Sequence, residues 1–191
     1  MADQLRPKRN ARRPARGLLR RFARAQDGAA AVEFAFVAIP FLVLVFAILE
    51  LGIIFLVSMT LENALANVDR KIRTGEFQSG GGTAASYESA VCGQMSWLGA
   101  ACGSALTVDV RVLPTFADTA TLTTPDLTKA CWDPGGAGSI VLVRAYYKWT
   151  IITPLMQSAV AGGNGNRLVT AAAIFTNEPY SDTPAPSVTC S

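Results

Sequence analysis

An apolar stretch near the N-terminus constrains this chain more than any other feature. It runs from Gly28 to Val57 and reads GAAAVEFAFVAIPFLVLVFAILELGIIFLV. No charged residue occurs between Phe34 and Leu49, and only Glu50 interrupts the apolar run that follows. At about 1.5 Å per residue, a helix from residue 34 to the end of the stretch covers roughly 36 Å, enough to cross a hydrocarbon core of about 30 Å. The sequence therefore predicts a membrane-spanning helix rather than a buried helix of a soluble domain.

Charge differs sharply between the two sides of this stretch. Residues 1–28 hold nine basic and two acidic side chains, a net charge of +7. The rest of the chain holds eight basic and twelve acidic side chains, a net charge of −4. The positive-inside rule then keeps the basic leader in the cytoplasm and exports the acidic part across the inner (cytoplasmic) membrane. A basic arm that binds nucleic acid is the alternative, but beside a membrane span the orientation signal is the better interpretation, and we predict no nucleic-acid partner.

The remaining pattern predicts three regions: a leader over 1–28, a transmembrane helix over 29–57 and an exported domain over 58–191. Helical spacing of apolar residues continues from Ser58 to Thr74, so we expect the helix to continue out of the membrane. Its outer part should bury one face against the domain. The residues on that face are Leu61, Leu65, Val68 and Ile72.

The domain after this helix combines one short helix, Tyr87–Trp97, with three strands. Leu106–Leu113 alternates strictly, which places its leucine and valine residues on one face and Asp109 on the other. Ser139–Ile152 and Leu168–Thr176 supply the other strands, separated by Pro- and Gly-rich turns. The prediction is an α+β, pilin-like fold with a roughly three-stranded antiparallel sheet against a long helix.

All four cysteines follow the apolar stretch, which agrees with export to an oxidising compartment. Three pairings are possible, and we favour Cys92 with Cys102 and Cys131 with Cys190. A zinc site is disfavoured because the chain has no histidine and no C-x-x-C spacing.

Catalysis finds no support in the sequence. Without histidine there is no Ser-His-Asp triad and no imidazole metal ligand, so we expect neither an enzyme nor a cofactor. The acidic residues of the domain form no acid–base pattern and are interpreted as solvated surface. They include Asp109, Asp118, Asp126 and Asp133.

Three residues inside the apolar stretch need an explanation. Glu33 lies near the start of this stretch, where burial of a carboxylate is costly, so a partner is implied. Glu50 is interpreted as a carboxylate at the outer interface. Pro40 removes one helix hydrogen bond and should kink the helix.

Together these features resemble a type IV prepilin signal: a basic leader ending at Gly28, a junction to Ala29, and Glu33 immediately before an apolar helix. The stretch DGAAAVEFAFVAIPFLVLVFAILELG further resembles the TadE-like family of tight-adherence pilus proteins. So do RTGEFQ at Arg73–Gln78 and IFTNEPY at Ile174–Tyr180. The tail motif in the latter is Asn177, Glu178 and Pro179.

The resemblance implies that a prepilin peptidase cuts after Gly28 on the cytoplasmic side. The new amine of Ala29 could then pair with Glu33 of a neighbouring subunit. It further implies a minor pilin or pseudopilin of tight-adherence (Flp-type IVb) pili, with membrane lipid, other pilin-like subunits and an inner-membrane assembly platform as partners. The alternatives are a single-pass membrane-anchored periplasmic binding or sensor protein that never assembles, and a soluble exported protein cut after Ala66.

Overall fold

A computed structural model of the chain describes residues 28–121, 127–161, 164–180 and 188–190. The leader predicted over 1–28 lies outside the described residues except for its last residue. The helices are α1 (Ala29–Arg73), α2 (Glu76–Ser79), α3 (Ala84–Gln94), α4 (Ala101–Ala105) and α5 (Pro154–Val160). The strands are β1 (Leu106–Leu113), β2 (Ile140–Thr150) and β3 (Asn166–Thr176). Short 3₁₀ turns cover Ser96–Leu98, Phe116–Thr121 and Leu127–Lys129.

The chain divides into two compact units, Met1–Val45 and Phe46–Ser191. In the first unit, the described residues form the start of α1, and its large apolar side chains are exposed, for example Phe36 at 76%. By length and composition, α1 is the one helix in the described parts of the chain that could cross a membrane. Pro40 lies inside it, and the kink expected there stays a prediction.

In the second unit, one face of α1 forms the centre of the hydrophobic core. The four predicted residues of that face are all buried, which confirms the helical interpretation beyond Ser58. Burial also extends back to Val57 and Glu50, which the sequence assigned to the membrane helix. One face of the last quarter of the apolar stretch therefore packs against protein, because these two residues repeat at the same helical spacing as the buried face.

The sheet is antiparallel in the order β1-β2-β3. Leu106 pairs with Tyr147 at one end of the β1–β2 ladder and Leu113 with Ile140 at the other. β3 runs back along β2 from Asn166 to Thr176. Alternate residues of β2 and β3 join the core formed around α1, namely Val141, Val143, Ala145, Tyr147, Val169 and Ala171. The predicted three-stranded sheet is thus confirmed, and the predicted ends of β2 and β3 differ by two residues or fewer.

The alternation predicted for β1 holds at its start and fails at its end. Val108 and Val110 are buried as expected, but Asp109 is also buried and Val112 is 37% exposed. Asp109 is covered because Arg144 of β2 and the backbone of Cys131 both approach its carboxylate. The interpretation of Asp109 as solvated surface was wrong for this reason.

The long connection between β1 and β2 is fixed to the domain by Trp132. This buried residue forms isolated bridges to Val110 and to Thr189 near the C-terminus, and its indole N–H donates to the carbonyl of Gly82 at 3.2 Å. Disulfides join Cys92 with Cys102 and Cys131 with Cys190. The two favoured pairings are therefore those that the structure contains.

Helix α3 begins three residues before the predicted start. Thr83 caps it: its hydroxyl accepts from the N–H of Ser86 at 3.2 Å, and the Ser86 hydroxyl accepts from the N–H of Thr83 at 2.8 Å. This is a capping box with serine in place of the usual Glu or Gln, which the sequence pattern does not reveal.

Candidate functional site

The predicted processing residues lie at the start of α1, where Gly28 is half-buried and Ala29 is exposed. Gly28 precedes the helix, Ala29 is its first residue, and both Ala29 and Glu33 are exposed. A Cβ atom added at Gly28 would meet no other atom within 4 Å. Among the described residues, no hydrogen bond or ion pair to Glu33 is formed, so any partner for its carboxylate has to come from outside this part of the chain.

Glu50 has a different environment from the one predicted. Only 3% of it is exposed. Its carboxylate accepts hydrogen bonds from the indole N–H of Trp149 at 3.1 Å and from the backbone N–H groups of Ile152 at 3.2 Å and Thr153 at 3.0 Å. The hydroxyl of Thr153 donates a further bond at 3.0 Å. Glu50 therefore joins α1 to the segment between β2 and α5, and an unpaired charge in an apolar run was the one signal of this role in the sequence.

The two short motifs outside the apolar stretch meet each other at the end of α1. The guanidinium of Arg73 forms an ion pair with the carboxylate of Glu178 at 3.0 Å, and the N–H of Glu178 donates to the carbonyl of Arg73 at 2.9 Å. Gly75 has a φ of +80°, and a Cβ added there would lie 2.8 Å from the ring of Tyr180. Glycine thus permits both the left-handed backbone and the close approach of the tail.

A second pair of motif residues binds one loop from two sides. The buried side-chain amides of Gln78 and Asn177 both donate to the carbonyl of Pro134, at 3.1 Å and 2.9 Å. Gln78 also donates to the carbonyl of Gly135, and Asn177 to that of Gly136. Each carbonyl of this loop is satisfied by an amide donor, which is what a buried loop requires. The sequence did not identify Pro134–Gly136 as the partner of either motif.

Phe77, which belongs to the first of these motifs, packs in an aromatic cluster. Its ring centroid lies 5.5 Å from that of Tyr87 and 6.2 Å from that of Trp132. Pro179 is exposed, directly before Tyr180. The arrangement is a structural junction of the helix end, the loop and the tail.

Asp109 is the centre of a buried charge cluster on the sheet. Its carboxylate lies 2.7 Å from the guanidinium of Arg144 and 3.0 Å from that of Arg111, and it accepts from the N–H of Cys131 at 3.0 Å. Burial alone would raise the pKa of Asp109, but these donors and charges outweigh it and hold the pKa below its ordinary value. The cluster joins β1, β2 and the disulfide-bearing loop.

Asp69 is buried on α1 and receives a hydrogen bond from the hydroxyl of Tyr87. Its other carboxylate oxygen has no partner among the described residues. Burial raises the pKa of Asp69 from 3.8 to about 7, although the bond from Tyr87 opposes the shift. The side chain lines a cleft of about 290 Å³ together with Ala66, Arg70, Arg73, Ala173 and Phe175. One carboxyl of raised pKa with arginines beside it is not a general acid–base pair.

Metal binding also finds no support in the described residues, where no group of three or more Cys, Asp or Glu side chains could hold an ion. The acidic residues named from the sequence are dispersed. Asp118 accepts bonds from the N–H and hydroxyl of Thr115, Asp133 accepts from the N–H of Gly135, and Asp126 lies outside the described residues.

Comparison with known proteins gives one match. No curated protein and no solved structure is significantly similar to the chain. A family model described as TadE-like protein matches residues 28–68, from the predicted cleavage junction to the buried face of α1. The TadE-like resemblance that the sequence motifs indicated is therefore confirmed over residues 28–68.

Proposed function

We propose that this chain is a TadE-like pilus assembly protein, a minor pilin or pseudopilin that takes part in the biogenesis of tight-adherence (Flp-type IVb) pili. In this proposal a prepilin peptidase removes the +7 leader by cutting after Gly28. The mature protein then spans the inner membrane once, with its C-terminal domain in the periplasm or outside the cell. It is not an enzyme and needs no cofactor.

The observation that carries the proposal is where the family match begins. It starts at Gly28, the last residue of the leader, and covers the exposed apolar part of α1. A match of this kind suggests a protein related to pilus assembly. The exposure of Ala29 and Glu33 supports the finer proposal, because a peptidase must reach the junction and a neighbouring subunit must reach the carboxylate.

The physical role proposed for Glu33 follows from its exposure within an apolar surface. A lone carboxylate in hydrocarbon costs several kcal/mol, of the order of 3 on insertion scales. Cleavage creates a positive amine at Ala29, and pairing of that amine with Glu33 of a neighbour would offset part of this cost. Partners in this step are other pilin-like subunits and the inner-membrane assembly platform.

Cleavage is tested by Gly28→Phe in the full chain, expressed with the matching prepilin peptidase. The change should leave the fold intact, because a Cβ atom added at Gly28 meets no neighbouring atom within 4 Å. The unprocessed, larger protein should accumulate on a gel. Gly93→Phe is the matched control, since it too replaces a glycine with open space around it, and it should be processed normally. Normal processing of the Gly28 variant would contradict the proposal.

The charge pair is tested separately by Glu33→Ala. This variant should be cleaved normally yet support few pili, because the neighbour's amine loses its partner. Glu62→Ala removes another exposed carboxylate from α1 and serves as the control that should leave piliation unchanged. Full piliation with Glu33→Ala would show that the carboxylate has no role in assembly.

The competing function is a membrane-anchored periplasmic binding or sensor protein that never enters an assembly. It requires no cleavage, so N-terminal sequencing separates the two. A mature terminus at Ala29 supports the pilus assembly protein, and a terminus at Met1 or Ala2 supports the anchored protein.

A further inference from the structure

Glu50 lies near the start of the second compact unit, which begins at Phe46. Its buried carboxylate is bound by Trp149, Ile152 and Thr153, so these residues lie within a few ångströms of α1 at this point. The part of the predicted span that precedes Glu50 ends at Leu49. Residues 29–49 cover roughly 32 Å of helix, which matches a hydrocarbon core of about 30 Å.

An apolar surface surrounds this point on the second unit. Ile152 is 67% exposed and Phe55 is 66% exposed. Leu51 and Leu168 are exposed too, and with Phe55 they line an open groove of about 340 Å³ between α1 and β3. We name the surface made by Leu51, Phe55, Ile152 and Leu168 the apolar edge.

Basic and aromatic side chains border the apolar edge. Arg167 lines the same groove and is exposed, and Lys148, also exposed, pairs with Leu168 in the sheet. Trp149 is half-buried with its indole N–H on Glu50. Apolar side chains with Trp and cations beside them are typical of the membrane–water interface, where the cations contact lipid phosphates.

We propose that the apolar edge of the domain lies on the outer surface of the membrane that the chain spans. Ile152, Phe55 and Leu168 contact the lipid, and Arg167 and Lys148 bind phospholipid phosphates. The occupant is lipid because, within the second unit, Leu51 and Phe55 follow directly on exposed apolar residues of the same helix, and because cations border the surface. Those exposed residues are Phe46, Ile48 and Leu49. This inference rests on the proposed membrane span but is independent of cleavage and of pilus assembly.

The test uses the full chain in vesicles of phosphatidylethanolamine and phosphatidylglycerol, with the photo-crosslinking residue p-benzoylphenylalanine at single positions. At Ile152 we expect a mass increase of one phospholipid after illumination. Phe116 is the matched control, because it is 53% exposed and follows Leu113 at the opposite end of the sheet. No lipid adduct should form there.

A third position for the photo-crosslinking residue distinguishes failure of the docking proposal from failure of the proposed membrane span. Ile39 is 65% exposed on the predicted span and should also give a lipid adduct. An adduct at Ile39 without one at Ile152 would overturn the docking of the apolar edge while leaving the span intact. No adduct at Ile39 would overturn both. A crosslinked dimer through Ile152 would show that a second copy of the chain, not lipid, covers this surface.

A separate experiment tests whether Arg167 binds lipid phosphates. Arg167→Glu should lower the lipid adduct at Ile152 in vesicles that contain phosphatidylglycerol and have less effect in purely zwitterionic ones. Lys71→Glu makes the same change about 31 Å from Glu50 along α1 and should have no effect. If Arg167→Glu and Lys71→Glu gave equal amounts of lipid adduct at Ile152, phosphate binding by Arg167 would be excluded.

Discussion

The carboxylate of Glu50 accepts hydrogen bonds from both the N–H and the hydroxyl of Thr153, each at 3.0 Å. Thr153 is the residue before α5, and its side chain makes no capping bond to that helix. The hydroxyl is instead used by a residue of α1, more than a hundred positions earlier in the chain. The end of β2 is thus held by α1 through one side chain.

Removal of this side chain should destabilise the domain strongly. Glu50→Ala leaves the N–H groups of Ile152 and Thr153 without their acceptor, and buried donors to a charged group are worth about 3 kcal/mol in total or more. Glu50→Gln retains one acceptor oxygen and should lose less. Thermal unfolding of the full chain in detergent measures both. Glu62→Ala, on an exposed position of the same helix, should leave the midpoint unchanged.

Replacement of Asp69 should change the pH dependence of stability. Because its folded pKa is raised, the folded state holds a proton that the unfolded state releases, so stability falls as pH rises from about 4 to 7. The loss is up to about 1.4 kcal/mol per pH unit. Asp69→Asn cannot release this proton, and Tyr87 can still donate to it. Denaturant unfolding at pH 5 and pH 8 should show a smaller decline for the variant than for the wild type, and equal declines would contradict the assignment.

The buried cluster around Asp109 predicts unequal effects of its members. Asp109→Ala removes the carboxylate that lies 2.7 Å from the nearly buried guanidinium of Arg144 and should cost about 3–5 kcal/mol. The side chain of Arg111 is 38% exposed, so Arg111→Ala should cost about 1 kcal/mol or less. The free energy of unfolding from denaturant titration separates the two. Comparable losses would mean that the cluster is not organised around Asp109.

Gly75→Ala should disrupt the contact between the helix end and the tail. The substitution forces a non-glycine residue to a positive φ, at a cost of about 1–2 kcal/mol, and places its Cβ against Tyr180. Gly81→Ala is the matched control, because its φ is +65° and no atom lies within 4 Å of the added Cβ. The extra loss in the Gly75 variant reports the contact with Tyr180, and Tyr180→Ala should remove that extra loss. Equal loss of stability in both glycine variants would exclude a contribution from the tail.

The local pattern of apolar and polar residues predicted much of this fold. The bounds of β1, the continuation of α1 beyond Ser58 and its four buried residues all follow from periodicity, which depends only on which side chains leave water. The two cysteine pairs are those that we favoured from the short loop between Cys92 and Cys102 and from the position of Cys190 in the tail, although the sequence alone leaves three pairings possible. The start of α3 was missed because its cap uses Ser86, which carries no distinctive signal at that position.

Long-range polar contacts were not predictable in the same way. The burial of Asp109 depends on Arg144 and on the loop at Cys131, which approach it only once the chain has folded. The role of Glu50 depends on a turn near Thr153, and Gln78 and Asn177 meet at Pro134 because two distant segments end beside one loop. The sequence can indicate that such polar residues need partners, but which residues become the partners depends on the tertiary fold.

The burial of Glu50 and Val57 has a practical consequence for the design of a truncated protein that lacks the first part of α1. A truncated protein that begins at Ser58, where the apolar sequence ends, would lack the acceptor of four hydrogen-bond donors and part of the core. A start at Phe46 retains both and still omits the exposed apolar residues of the first compact unit. The natural place to divide this chain lies inside its apolar stretch, not at the end of it.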